Sequence, residues 1–157
     1  MSSKTAIGTE SRVLNEGYGP GAWHGADLKA AMADVAPGVA YWRPADGRHN
    51  IAEIALHHAY YVRVVRSRIS GQPAEPFDLQ GDDWFEIGDE ATRPWQEIVA
   101  TVASEQQQLA ALVADVESGL VRSPLGSDER FTEVLGITCH AVYHAGQIQL
   151  IKRLKAA

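Results

Sequence analysis

The sequence predicts an all-α protein, a four-helix bundle of antiparallel type. Three observations carry this prediction. Apolar residues recur at helical spacing in four stretches, no stretch alternates in the manner of a strand, and glycine or proline punctuates the junctions. The 157 residues read as one domain over 1–157, a length at which a single core is usual.

The first helix is expected over about 26–36, with Leu28, Ala31, Met32 and Val35 on one side and a stop at Pro37-Gly38. The stretch around 10–16 reads as an earlier part of the same helical arm, broken by the glycine-rich GYGPGAWHG of residues 17–25. After a turn at Pro44, Asp46 and Gly47, Asn50-Ile51-Ala52-Glu53 has the form of a capping box. Asn50 accepts from the first turn, and Glu53 reaches back to the cap N–H. No Gly or Pro follows until about residue 67, and Ile51, Ile54, Ala55, His58, Val62 and Val65 share one stripe. Arg63, Arg66 and Arg68 suit the negative end of this helix and read as a solvated terminus.

Residues 71–93 form a long irregular connection with Pro73, Pro76, Gly81 and Gly88. Loops of this length often shape a site, and Trp84 and Phe85 in it require burial. Pro94 opens a third helix to about residue 117, with Ile98, Val102, Leu109, Leu112, Val113 and Val116 on one side. The last helix starts between 128 and 132 and runs to about 154, its apolar side given by Val134, Ile137, Ala141, Ile148 and Ile151.

Composition excludes several functions. Fourteen Lys and Arg against twenty Asp and Glu give a net charge of −6, which argues against a protein that grips nucleic-acid backbones. The single cysteine, Cys139, excludes an internal disulfide and a zinc site built on paired CxxC elements, and it reads as a small buried hydrophobe. No run approaches the ~18 apolar residues of a membrane span. The start, MSSKTAIGTESR, lacks an apolar secretory region. The expectation is a soluble cytoplasmic protein without nucleic-acid or membrane partners.

Four of the six histidines fall in two clusters, His57/His58 and His140/His144. Residues four apart on a helix differ by about 40° and about 6 Å along the axis, so His140 and His144 project side by side. Ile137, Gln147 and Ile151 lie on or beside their face, which points them inward. On the preceding cluster, His58 lies in the apolar stripe, whereas His57 is turned about 100° onto a mixed face with Asn50, Glu53 and Val64. Three inward imidazoles, His58, His140 and His144, match the donor set of a divalent transition metal that keeps a position open for water or a thiol. A Glu of the HExxH kind is missing, which argues against a zincin-type protease.

Around this centre, Gln147 and Tyr143 are candidates to orient a ligand, with helix packing as the alternative. His49 is expected to stabilise a turn, with a proton-shuttle role as the alternative. Trp23 is expected in the core, His24 stays open between walling the site and no role, and Gly146 is expected to allow close helix approach.

The stretches HNIAEIALHHAYY and GITCHAVYHAGQIQLIKR, with GPGAWHGADL and YWRPADGRHNIAEI before them, make the chain resemble the DinB-like (DinB/YfiT) metal-binding four-helix bundles. The resemblance covers most of the chain, and HxxYHxGQI is its most specific string. It implies a divalent metal, zinc or nickel foremost, on His58, His140 and His144; the HH doublet makes His57 the second choice. It also implies a small-molecule substrate and a homodimer. Activities among relatives centre on low-molecular-weight thiols, which makes a thiol S-transferase the leading expectation. A non-catalytic, stress-associated metal-binding bundle and a hydrolase using metal-bound water are the alternatives.

Overall fold

The computed structural model describes residues 7–157. Among them the chain forms six helices and no strand: α1 (Thr9–Tyr18), α2 (Leu28–Ala33), α3 (Pro37–Ala40), α4 (Ile51–Ser70), α5 (Trp95–Glu117) and α6 (Ser127–Ala156). The all-α class expected from the periodicity holds. The four longest helices pack in a ring, α4 on α5, α5 on α1, α1 on α6 and α6 on α4, while α2 packs on α6.

The N-terminal third departs from expectation. In place of one arm there are three short helices. Gly19 adopts a positive φ of 104° as the C-cap of α1, a conformation that glycine tolerates and that ends the helix. Asp27 then caps α2, its side chain accepting from the Ala30 N–H at 2.9 Å. Pro37 begins α3 at its first position and keeps Ala36 extended, so α2 and α3 cannot fuse.

The long helices start and stop near their sequence signals. Asn50 caps α4 by accepting from the Glu53 N–H at 2.8 Å, and Gly71 ends it in the left-handed region at φ 71°. The reciprocal half of the expected capping box is absent, because the Glu53 carboxylate turns to other partners described below. Pro94 caps α5. Glu129 accepts from the Gly126 N–H at 2.9 Å at the start of α6.

Two apolar clusters fill the interior. One joins Leu28, Ile51, Leu56, Trp95, Ile98 and Ile148; the other joins Leu14, Val62, Ile69, Leu109, Val113 and Val134. Residues 71–93 fold back across α4. Phe85 and Ile87 enter the first cluster, and the buried Asn50 amide donates to the Ile87 carbonyl at 2.7 Å. Trp23, expected in the core, is 93% exposed; the turn that carries it projects outward, and its backbone N–H is held by the Glu16 carboxylate. Cys139 is exposed as well, one step off the buried side of α6. Among the described residues no helix is long and apolar enough to cross a membrane.

Candidate metal centre

Where α4 crosses α6, three imidazoles converge. Nε2 of His140 lies 3.1 Å from Nε2 of His144 and 3.3 Å from Nε2 of His57. One ligand atom from each of these three residues lies within 4.8 Å of the others. Nitrogens bound tetrahedrally at zinc-like distances are separated by about 3.3 Å, so the spacing suits one first-row ion.

The outward nitrogens make the stronger case for a cation. Nδ1 of His57 lies 2.8 Å from the Asp83 carbonyl oxygen, and Nδ1 of His144 lies 2.6 Å from Oε1 of Gln147. Both partners only accept, so both histidines carry their proton on Nδ1 and turn a bare Nε2 lone pair inward. Nδ1 of His140 faces Nδ1 of His58 at 2.9 Å. Lone pairs gathered this closely repel unless a cation or a proton stands among them. The donor set therefore fits a divalent transition metal with imidazole preference, and with three protein ligands a position remains open.

Electrostatics keep these rings neutral and ready to coordinate. Burial, reinforced by the neighbouring rings of His144 and His57, pushes His140 down to about 3. Burial pushes His144 down to about 4, with the Gln147 hydrogen bond opposing it and His57 adding to it. His57 is lowered by burial against the opposing pull of Asp83. His58, wholly enclosed, lies well below its ordinary value through burial and its histidine neighbours.

The structure thus groups His140 and His144 with His57. His58, expected as the third ligand, stands on the other side of His140, and its Nε2 is buried without a partner. The reason lies in α4. Its apolar stripe predicts one buried face, yet every residue from Ile51 to Ala59 is buried. The chain folding back at 82–85 covers the side that carries His57. Trp84 stacks on His57 with ring centroids 3.7 Å apart, and Tyr61 donates to the Asp83 carboxylate at 2.8 Å.

A cavity of about 570 Å³ opens over the three Nε2 atoms, walled on its apolar side by Ile54, Trp84, Leu150 and Leu154, with Arg48 and His49 also lining it. Gln147, a candidate to orient a ligand, accepts from His144 and donates to the Tyr143 hydroxyl at 3.3 Å. His49 stacks on the other face of Trp84, again with centroids 3.7 Å apart, and its Nδ1 lies 2.9 Å from Oε2 of Glu53. Neither Trp23 nor His24 lines the cavity; His24 instead bonds the Glu16 carbonyl through Nε2.

Glu53 and the arginines differ from their sequence reading. Glu53 is 2% exposed and accepts from Arg43, from His49 and from the Ile87 N–H at 3.1 Å. Burial works to raise its carboxyl, but these partners outweigh it and hold the group below the usual carboxylate range. Arg63 and Arg66 converge on the buried Glu105 of α5, at 2.5 and 3.1 Å, and only Arg68 remains a surface group, paired with Glu133. Trp84, Asp83 and Arg43 are the site residues the sequence did not single out individually. The one signal for Trp84 and Asp83 is an aromatic pair in a loop too long to be a plain connection; Arg43, in the turn before α4, carries none.

Residues 22–148 match the DinB superfamily, and the chain belongs to that family. No curated protein and no solved structure gives a match.

Proposed function

We propose that this DinB-superfamily chain binds one divalent first-row metal, zinc or nickel foremost, through His57, His140 and His144. We further propose that it activates a low-molecular-weight thiol for S-transfer to a small electrophile. The observation that carries the metal reading is the orientation of the outward nitrogens. His57 and His144 are tied to pure acceptors, which leaves their Nε2 lone pairs facing Nε2 of His140. Membership of the superfamily supports the same reading. The thiol step rests on the open cavity over those nitrogens and on the family resemblance.

When bound, the ion supplies Lewis acidity that favours thiolate over thiol. The chain's own residues do the rest. Ile54 and Trp84 wall the apolar side of the cavity, with Leu150 and Leu154 at its rim. Nδ1 of His49 donates to the ionised Glu53, which leaves Nε2 of His49 as a base able to take the thiol proton. The new bond is S–C, and the leaving group departs with its electron pair. The proposal includes a homodimer, supported by the exposed Phe131, Leu135, Leu150 and Leu154 along α6; light scattering on the purified protein tests that part.

Untagged protein is expected to carry about one equivalent of metal by elemental analysis, and His140→Ala to carry none; full occupancy in that variant removes the centre. Cobalt-loaded protein titrated with 2-mercaptoethanol is expected to develop a sulfur-to-metal charge-transfer band. Absence of that band, with the metal still bound, overturns the S-transfer reading and leaves a metal-binding bundle.

A further inference from the structure

His58 has no place in the donor set, yet it is 0% exposed and its ring lies 5.2 Å from that of His140 by centroid, 22° from parallel. We propose that His58 is a positioning residue: its Nδ1 accepts the Nδ1–H of His140 and so holds the Nε2 lone pair of His140 free for the ion. This rests on the metal reading above and assigns a role within it.

Two neutral imidazole nitrogens 2.9 Å apart share a single hydrogen, so one ring donates and the other accepts. If His58 donates, His140 must carry its own hydrogen on Nε2, the atom 3.1 Å from His144 and 3.3 Å from His57. That tautomer blocks coordination. If His140 donates, its Nε2 is bare, and His58 carries its hydrogen on Nε2, where no acceptor is available. Nε2 of His58 is unpartnered in either arrangement, but only in the first does an Nε2–H of His140 stand among the lone pairs of His57 and His144, so the metal-free protein favours the first and metal binding the second. In passing between them His140 gives up its Nε2 proton, receives the Nδ1 proton of His58, and His58 takes a proton on Nε2. Both rings stay neutral and the number of protons is unchanged.

Nothing similar exists at the other two ligands. His57 leans on a backbone carbonyl, which cannot donate and permits one tautomer only, and His144 leans on the Gln147 amide oxygen while the amide nitrogen is engaged with the Tyr143 hydroxyl. His140 leans on a second imidazole. His58 is not itself a fourth ligand of the same ion, since it meets His140 at Nδ1, the side of that ring away from the converged Nε2 atoms. No third donor joins His58 and His140 on that side among the described residues.

The test compares His58→Leu, which fills the space without an acceptor, with His58→Asn, whose amide oxygen falls near the Nδ1 position. Zinc affinity is measured by chelator competition, and the His140 Nδ1–H by proton NMR of the zinc-loaded, 15N-histidine-labelled protein. H58L is expected to keep one zinc with affinity lowered about ten- to hundredfold and to lose the low-field N–H resonance; H58N is expected to recover most of the affinity. Affinity within about twofold of the native in H58L overturns the proposal, as does a zinc-loaded native protein without a His140 Nδ1–H. Abolished binding in H58L with binding retained in His57→Leu makes His58 a ligand and overturns it too. Retained metal in His140→Ala instead overturns the centre as a whole. If H58L does not fold, H58N and the native NMR signal decide the matter.

Discussion

Trp84 separates His57 of the candidate centre from the base candidate His49, nearly parallel to both rings at 3.7 Å. Its plate fixes the plane of His57 while the Asp83 carbonyl fixes its tautomer. Trp84→Ala removes the plate and lets the His57 ring rotate, so zinc affinity is expected to fall about tenfold in chelator competition; unchanged affinity would show that Asp83 orients His57 unaided. Glu53→Gln removes the charge that Arg43 and His49 face but keeps one acceptor. Arg43 can turn to water, so a loss of about 1–3 kcal/mol is expected in urea unfolding, below the full cost of stranding a buried ion. The legibility of the centre follows the same local physics. His140 and His144 lie on one helix, where spacing alone determines that they meet. Choosing between His57 and His58 depends on what covers the sides of α4, and an irregular loop leaves no periodic trace of that.

At the scale of helices, close approach falls at a different glycine from the one expected. Gly146, expected to allow close approach, has nothing within 4 Å of where a Cβ would stand. Gly17 on α1 would place a Cβ 2.9 Å from Cβ of Ala141 and 2.9 Å from the Thr138 carbonyl oxygen on α6. Backbone cannot step aside as a side chain does. Gly17→Ala is therefore expected to cost about 1–3 kcal/mol by forcing α1 off α6, whereas Gly146→Ala is expected to stabilise by about 0.5–1 kcal/mol through helix propensity. Denaturant midpoints of the two variants check the pair, and a loss in Gly146→Ala would contradict the open surroundings. The long helices were readable because their caps and apolar stripes are local. The division of the N-terminal arm into α1, α2 and α3 was not, since six- and four-residue helices are too short to display a period. The clamp of Arg63 and Arg66 on Glu105 leaves no local sequence trace, because its partners lie 42 and 39 residues apart.

For the molecule as a whole, burying four histidines beside one another couples stability to pH. Each free imidazole in the unfolded chain protonates near about 6.5. In the folded, metal-free protein His144 resists until about 4 and His140 until about 3, and His57 and His58 are lowered too. Between those limits the unfolded state binds more protons, so stability rises with pH. The contribution is complete above about 6.5 and is lost as acid approaches the folded values. Bound metal adds to the same trend, since a protonated imidazole cannot coordinate and the ion is released on acidification. Chelator-treated protein is therefore expected to melt at progressively lower temperature from pH 7 to 4.5. Over that range Glu53, held below the usual carboxylate range by Arg43, His49 and the Ile87 N–H, stays ionised in the folded protein. Replacing His140 and His144 by Gln leaves polar side chains that do not titrate, and the melting temperature of that variant is expected to vary less over the same interval. An equal fall in both proteins would assign the acid sensitivity to groups outside the histidine cluster.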